Sequence, residues 1–390
     1  MAIQNSIYVP NRTTKKKYFY DPSLEKGILN NVQSFSRDSS LLDNEHYKDV
    51  CFCPSNNKLY AIRTNSSTSV SKVDVFTIGG TNRAGGDHPD AENPDTSTTV
   101  GNEANAMVYC PSNDRIFIAC KDVISIINPS TNRVENEIAF TDGGYAAPLT
   151  AAYLPNTNRI YIGSGAPNLK VIDPGRILNN GLLTGAKYED QLTSQALTPH
   201  GYSEITKICA NPEMGYLYLF DGTQNRSAVV FSNYLRINKD KDGVHSYDHS
   251  YNMEDWMVAN QNTKDVIYCP FDGAVYWLSS RANAGTYVFR MGSDYSKTIK
   301  IKSGNFEKLL YCPDNNMVYV FGPDKTEMIN PADSKGTVPV SAFYDNIQSL
   351  NGVAVGSGSG KLNGVCYSPH MNRIYGVGDS GYIKYLDPTT

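Results

Sequence analysis

One pattern of apolar and polar positions recurs seven times along the chain. It reads apolar, any residue, aromatic, Cys, Pro, two variable residues, then Asn, Asp or Gly, any residue, aliphatic and aromatic. The prolines are Pro54, Pro111, Pro155, Pro212, Pro270, Pro313 and Pro369. Three residues after them stand Asn57, Asp114, Asn158, Gly215, Gly273, Asn316 and Asn372. Aliphatic and then aromatic residues follow at the fifth and sixth positions, as in Leu59 and Tyr60.

Each copy of the pattern predicts two strands joined by a tight turn. Proline does not sit inside a central strand, so the first strand ends there. Asn, Asp and Gly adopt a left-handed backbone at low cost, so the chain turns at these residues. A third β-rich run follows in every repeat, and in the fourth repeat it falls at 228–231.

The spacing of the repeats predicts a closed all-β architecture. Successive prolines are 57, 44, 57, 58, 43 and 56 residues apart, and the two shortest spacings fit one four-stranded propeller blade. Seven such units predict a seven-bladed β-propeller. Residues 17–20 resemble a third strand and 28–35 a fourth, so we expect N-terminal residues to complete the C-terminal blade. Residues 1–15 are then an N-terminal arm, and 16–390 one propeller domain.

Two repeats carry a more specific signature. Residues 113–120 read Asn-Asp-Arg-Ile-Phe-Ile-Ala-Cys, and 123–134 read Val-Ile-Ser-Ile-Ile-Asn-Pro-Ser-Thr-Asn-Arg-Val. Residues 158–165 read Asn-Arg-Ile-Tyr-Ile-Gly-Ser-Gly, followed by Leu-Lys-Val-Ile-Asp at 169–173. These segments resemble the YVTN-type propeller repeat family, which includes surface-layer proteins, binding modules and some redox subunits. The resemblance implies a propeller fold and no particular activity.

Composition excludes several classes of function. The formal net charge is -4, whereas generic nucleic-acid binding needs a basic surface. No apolar run reaches the roughly 20 residues of a membrane span, and the first residues do not resemble a signal peptide. Seven of the 8 cysteines lie either one or three residues before a repeat proline. Because these are repeat positions, we expect buried, inert thiols. We therefore expect a chain made in a reducing cytoplasm, with no nucleic-acid partner and no membrane insertion.

One segment begins like a calcium-binding loop. Asn238, Asp240 and Asp242 place oxygen ligands at positions 1, 3 and 5, and a glycine follows. His249 stands where such loops carry a bidentate Glu, and Asp248 is the candidate substitute. The alternative is a solvated polar loop. We expect no cofactor unless this segment binds calcium.

Four regions are longer than the shortest repeats require, and we interpret them as inserts near 79–101, 175–202, 233–262 and 336–362. Loops on a rigid scaffold often carry recognition. Aromatic and polar residues together make adaptable contact surfaces. The candidate binding residues are Tyr188, Tyr202, Tyr234, Tyr247, Tyr251, Trp256, Phe343 and Tyr344. The alternative is that these rings pack under their own loops.

These observations favour a non-enzymatic interaction module. We expect a structural or adhesive subunit, binding other proteins of an assembly such as a virus or phage particle, or a cell-surface receptor or glycan, and so a virion-associated chain. The alternative is a calcium-dependent propeller hydrolase of the lactonase type. Such an enzyme needs inward carboxylates or His on the first strands, where the sequence suggests Cys, Ala, Ile and Ser. A redox subunit is a third hypothesis, although the chain has no haem-attachment cysteines.

Overall fold

The structure of the chain is a computed structural model. It describes residues 33–35, 44–78, 94–140, 147–166, 169–192, 204–213, 215–220, 232–236, 249–251, 261–281, 285–291, 298–322, 325–331, 347–351, 361–379, 383–386 and 388. No helix in these ranges is long and apolar enough to cross a membrane. The predicted boundary between an arm at 1–15 and the propeller lies outside them, as does the strand predicted at 17–20.

The first part of the chain forms three four-stranded antiparallel sheets, numbered here in chain order, after a short strand that joins the last sheet. The short strand is β1 (Gln33–Phe35). Sheet 1 comprises β2 (Glu45–Cys53), β3 (Lys58–Asn65), β4 (Ser71–Thr77) and β5 (Thr96–Val100). Sheet 2 comprises β6 (Ala106–Cys110), β7 (Arg115–Ala119), β8 (Val123–Asn128) and β9 (Arg133–Ala139). Sheet 3 comprises β10 (Pro148–Leu154), β11 (Arg159–Ser164), β12 (Leu169–Asp173) and, after the small hairpin of β13 (Arg176–Ile177) and β14 (Leu183–Thr184), β15 (Lys187–Leu192).

Four further four-stranded sheets follow in the same order. Sheet 4 comprises β16 (Lys207–Asn211), β17 (Tyr216–Phe220), β18 (Ser232–Arg236) and β19 (His249–Tyr251). Sheet 5 comprises β20 (Gln261–Cys269), β21 (Ala274–Arg281), β22 (Gly285–Met291) and β23 (Thr298–Gly304). Sheet 6 comprises β24 (Lys308–Cys312), β25 (Met317–Phe321), β26 (Lys325–Ile329) and β27 (Ile347–Asn351). Sheet 7 comprises β28 (Leu362–Ser368), β29 (Arg373–Gly378), β30 (Ile383–Leu386) and β1, which pairs antiparallel with β30.

The predicted turns form as the repeat pattern requires. In every sheet, the residue three positions after the repeat proline has a positive φ between 49° and 70°. Five of these residues are Asn or Asp and two are Gly, the types that adopt this conformation most readily. The all-β prediction and the four-stranded antiparallel sheets are therefore confirmed.

Both faces of a sheet are buried, because each sheet packs between two others. Tyr60 of sheet 1 clusters with Ile116 of sheet 2, whereas the adjacent Leu59 clusters with Tyr375 of sheet 7. Successive residues of a strand point to opposite faces. This explains why the strands read as nearly continuous apolar runs. All eight cysteines are free and buried among these side chains, as the sequence predicts.

The first strands of the sheets contact one another in series. The contacts run from β2 to β6, β10, β16, β20, β24 and β28, and from β28 back to β2. The second strand of sheet 7, β29, also contacts β2. A hydrogen bond from a side chain also joins sheets 7 and 1: Asn363 Nδ2 donates to the Tyr47 carbonyl oxygen at 2.7 Å.

The fourth strands lie inside the regions that we interpreted as inserts. They are β5, β15, β19 and β27, so the additional residues are those between the third and fourth strands: 78–95, 174–186, 237–248 and 330–346. The same connection is short in sheets 2 and 5, at 129–132 and 292–297. The third strand predicted at 228–231 falls outside the described residues, and β18 is the third strand that the structure describes in sheet 4.

Candidate functional site

The four long connections leave their sheets at one common edge. Neighbouring strands run antiparallel, so the connection between the third and fourth strands starts at the same edge as the turn between the first and second. In every sheet that edge carries the repeat proline. We call this end of the strands the turn edge. The other end of the strands, which carries the connection between the second and third strands, is the opposite edge.

The hairpin of sheet 3 is the long connection whose residues the structure describes. Ile177 pairs with Leu183, and Gly181 has a φ of +79° in the turn between the two strands. Gly175 precedes the hairpin with a φ of +75°, and a Cβ atom there would lie 2.5 Å from the Ala186 nitrogen. A side chain at this position would therefore disrupt the start of the hairpin.

Side chains of sheet 2 hold the hairpin in place. Asn113 Nδ2 donates to the Pro174 carbonyl oxygen at 2.7 Å. Arg115 Nη2 donates to the Gly181 carbonyl oxygen at 3.0 Å, and its Nε pairs with Glu135. Leu183 is buried in the cluster between sheets 2 and 3. The hairpin is thus fixed at its base, at its turn and through its apolar face.

The outer side of this hairpin carries two exposed leucines. Leu178 is 40% exposed and Leu182 is 57% exposed. Among the described residues, Val70 is the other large exposed hydrophobic side chain, at 39%, and it lies on the opposite edge between β3 and β4. The turn edge therefore presents a rigid apolar pair.

The predicted binding aromatics divide into three groups. Tyr188 lies on β15, where its ring packs edge to face on Phe140 with centroids 6.1 Å apart. The Lys170 ammonium lies 4.3 Å from the Phe140 centroid and 5.4 Å from the Tyr188 centroid. Tyr188 therefore packs between sheets 2 and 3.

The other predicted aromatics are placed only in part. Tyr234 and Tyr251 lie on the paired strands β18 and β19, each within the backbone ladder of sheet 4. The remaining aromatics and the four predicted calcium ligands fall outside the described residues: Tyr202, Tyr247, Trp256, Phe343, Tyr344, Asn238, Asp240, Asp242 and Asp248. The described ranges contain no group of three or more His, Cys, Asp or Glu side chains arranged to hold a metal ion.

The structure reveals charged residues on the first strands that sequence reasoning missed. Five positions before the repeat proline stand Asp49, Lys207, Asp265 and Lys308, in sheets 1, 4, 5 and 6. Cys, Ala, Ile and Ser were named on the first strands from the sequence, and these charged residues were overlooked. The constant offset of five residues was visible in the sequence and could have identified them.

Two of these side chains tie their sheet to the next one. Asp49 Oδ2 accepts a hydrogen bond from the Met107 backbone nitrogen at 3.0 Å. Asp265 Oδ2 accepts one from the Leu309 backbone nitrogen at 2.8 Å. Burial raises the pKa of Asp49 to about 6, and the Met107 hydrogen bond opposes part of that rise. Both carboxylates therefore act as structural links between sheets.

Comparisons with known proteins agree with this architecture. No family model and no curated protein sequence matches the chain. Among solved structures, it is similar to the hydrazine synthase of Kuenenia stuttgartiensis, with a TM-score of 0.60, 13% identity, and coverage of 88% of this chain and 96% of that one. It is also similar to the WD40 domain of Neurospora crassa Pan2, with a TM-score of 0.57, 10% identity, and coverage of 88% and 90%. At this identity the likeness concerns the fold alone, and the chain has a β-propeller fold.

Proposed function

We propose that this chain is a non-enzymatic interaction module, a seven-bladed propeller of the YVTN repeat type that binds other subunits of a larger assembly through its turn edge. A virus or phage particle is the kind of assembly in which we place it, with a structural or adhesive role. Binding of a cell-surface receptor or glycan would use the same edge. The observation that carries the proposal is the restriction of the four long connections to one edge.

The seven-bladed ring rests on the packing of the sheets. Seven four-stranded sheets follow one another in the described chain, and their first strands contact one another in a complete cycle. Pairing of β1 with β30 joins the two ends of the chain in one sheet. A ring of this kind leaves only short, protected sheet edges, and its two faces are available for binding.

The proposed role of the turn edge rests on the length of its connections, which can change without changing the core. Lengthening a connection costs little free energy, because loop-closure entropy grows slowly with length. Sheets 2 and 5 show that short connections suffice for a blade. The longer connections in sheets 1, 3, 4 and 6 therefore add surface that the fold does not require. Leu178 and Leu182 show that such surface can be rigid and apolar.

A site-specific cross-linking experiment tests this proposal. A photoreactive amino acid is placed at Leu182 on the turn edge or, as a matched control, at Val70 on the opposite edge. We expect cross-links from Leu182 to a defined neighbouring subunit in the native assembly, and none from Val70. Equal cross-linking from both positions, or none from either in an assembly that contains the chain, would contradict the proposal.

A separate activity assay tests the hydrolase alternative. Purified protein is assayed with aryl ester and lactone substrates, with calcium and with a chelator. We expect no turnover above buffer in either condition. Turnover that the chelator abolishes would replace the interaction proposal with the enzymatic one.

A further inference from the structure

We propose that four lysines on sheets 4 to 7 form a binding site for a compact, doubly charged inorganic oxyanion such as sulfate or phosphate. The residues are Lys207, Lys264, Lys308 and Lys361. The site lies where the first strands begin, which is the end opposite the turn edge. It is independent of the long connections and of the function proposed for them.

The backbone brings these lysines to one level of the fold. Lys207 and Lys308 are the first residues of β16 and β24. Lys264 occupies the register shift in β20 between Thr263 and Asp265, and Lys361 directly precedes β28. The strands contact in series, from β16 to β20, β24 and β28. Four neighbouring sheets therefore each contribute one ammonium group at the same end of their first strands.

The carboxylates nearby are occupied by other donors. Asp265 accepts the Leu309 N–H at 2.8 Å, and Glu307 accepts the Leu362 N–H at 2.7 Å. Asp379 Oδ1 accepts from Asn363 Nδ2 at 2.6 Å. Within the described residues, none of the four lysine side chains makes a hydrogen bond or an ion pair of 4.0 Å or less. Asp265 and Glu307 thus link neighbouring sheets, Asp379 is bonded within sheet 7, and the ammonium N–H groups remain available.

The lysines also influence one another through their charge. Burial and, after it, the like charge of Lys308 lower the pKa of Lys207 to about 8, against the opposing effects of Asp265 and Asp49. Desolvation and then Lys308 lower the pKa of Lys361 as well. Lys308 is therefore close enough to repel two other ammonium groups. A bound dianion would relieve this repulsion.

The chemistry of the donors selects the ligand class. An ammonium group is a compact point charge with three N–H donors and no acceptor. Several of them from different directions suit an anion whose oxygens are distributed in three dimensions. A tetrahedral oxyanion has that distribution, and charge-assisted hydrogen bonds to it are strong. Chloride offers a single charge and no such geometry.

Calorimetric titration with sodium sulfate tests the site in the full-length protein at pH 7 and constant ionic strength. We expect saturable binding that weakens at least tenfold in Lys207→Met and in Lys308→Met. Lys187→Met is the matched control, because Lys187 is exposed on β15, the outer strand of sheet 3. Absence of saturable binding, or equal binding by all variants, would overturn the proposal.

The pH dependence provides a second measurement. Sulfate remains a dianion, so the charges that change are those of the protein. The groups that act on Lys207 are Lys308, Lys361, Asp49 and Asp265. Because Lys207 loses its proton near pH 8, we expect sulfate affinity to fall between pH 7 and pH 9 in the parent protein. An affinity that stays constant over this range would exclude Lys207 as a ligand.

Chemical footprinting of the unaltered protein avoids any effect of substitution on folding. Lysines are acetylated with limiting reagent at pH 8, with sulfate or with chloride at equal ionic strength, and quantified by mass spectrometry. We expect sulfate to reduce modification of Lys207 and Lys308 at least threefold and to leave Lys187 unchanged. Equal modification in both salts would contradict the site even if the variants fail to fold.

Discussion

The hydroxyl of Tyr311 donates a 2.7 Å hydrogen bond to Oδ1 of Asn316, five residues later and across the turn of sheet 6. Asn316 has a φ of 58°, so one residue supplies both the left-handed backbone and the acceptor. The same clamp closes three other turns, with donor and acceptor 2.8 to 2.9 Å apart: Tyr109–Asp114, Tyr153–Asn158 and Tyr367–Asn372. The repeat pattern thus encodes a side-chain contact as well as a turn.

Substitutions at Asn316 separate these two roles. We expect Asn316→Gly to lower the free energy of unfolding by about 1 kcal/mol, because it keeps the backbone conformation and loses the hydrogen bond. Asn316→Ala loses the bond and also strains the backbone, so we expect a total loss of about 2 kcal/mol. Thermal unfolding followed by circular dichroism measures both. Equal melting temperatures for the two variants would show that the left-handed backbone contributes nothing.

A second repeat contact is missing in sheet 7, and restoring it is a test of the pattern. Asn315 Nδ2 donates to the Tyr319 hydroxyl at 2.8 Å in sheet 6. In sheet 7 the equivalent pair is Met371 and Tyr375, and the buried Tyr375 hydroxyl has no hydrogen-bond partner among the residues that the structure describes. We expect Met371→Asn to stabilise the protein by about 1 kcal/mol, because it satisfies a buried polar group.

The reciprocal variant provides the control. Asn315→Met removes the partner of the Tyr319 hydroxyl, and we expect it to destabilise the protein by about 1 to 2 kcal/mol. Both variants are measured by thermal unfolding beside the parent. A Met371→Asn variant that melts below the parent would show that packing of the methionine outweighs the new hydrogen bond.

The cysteines are expected to be unreactive in the folded protein. Burial raises the pKa of Cys110 and Cys312 to about 11 and that of Cys120 and Cys366 to about 12. The thiolate is the reactive form, so a high pKa and burial both slow its chemistry. We expect no reaction with Ellman's reagent in buffer and 8 equivalents of thiol in denaturant. One fast-reacting thiol in the native protein would contradict this.

Asp49 is expected to make stability depend on pH. Its pKa rises from 3.8 in an unfolded chain to about 6 in the folded protein, because burial disfavours the charged form. The folded state therefore takes up this proton first as pH falls, and the cost of the buried charge, present in full above pH 6, disappears towards pH 4. Asp49→Asn lacks this dependence.

The variant and the parent are compared by thermal unfolding between pH 4 and pH 7. We expect the stability of Asp49→Asn relative to the parent to increase by up to about 3 kcal/mol across this range, from a pKa change of about two units. Asp95→Asn is the control for removing one carboxylate, since Asp95 is more exposed than Asp49 and pairs with Lys58. A difference that is constant with pH would show that folding does not raise the pKa of Asp49.

Local regularities of the sequence predicted the sheets and their turns correctly. A proline followed three residues later by Asn, Asp or Gly restricts the backbone strongly enough to place each turn, as Asn57 and Gly273 show with φ values of 56° and 70°. Some fourth strands were harder to place, because strands such as β5 are partly exposed and carry a weak apolar signal. The charged residues at the position five before the repeat proline, such as Asp265, were missed because the other repeats carry Ala106, Thr150 or Gly364 there and the repeat pattern does not include that position.

The sequence by itself determined the seven repeats, the turn conformations and the burial of the cysteines, because each depends on residues within about ten positions of one another. Only the tertiary structure decided which sheets touch, that the long connections share the turn edge, and that Lys207 and Lys308 influence one another across 101 positions of the chain. These relationships arise from the packing of one sheet on the next. Packing depends on side chains far apart in sequence, and no local pattern contains that information.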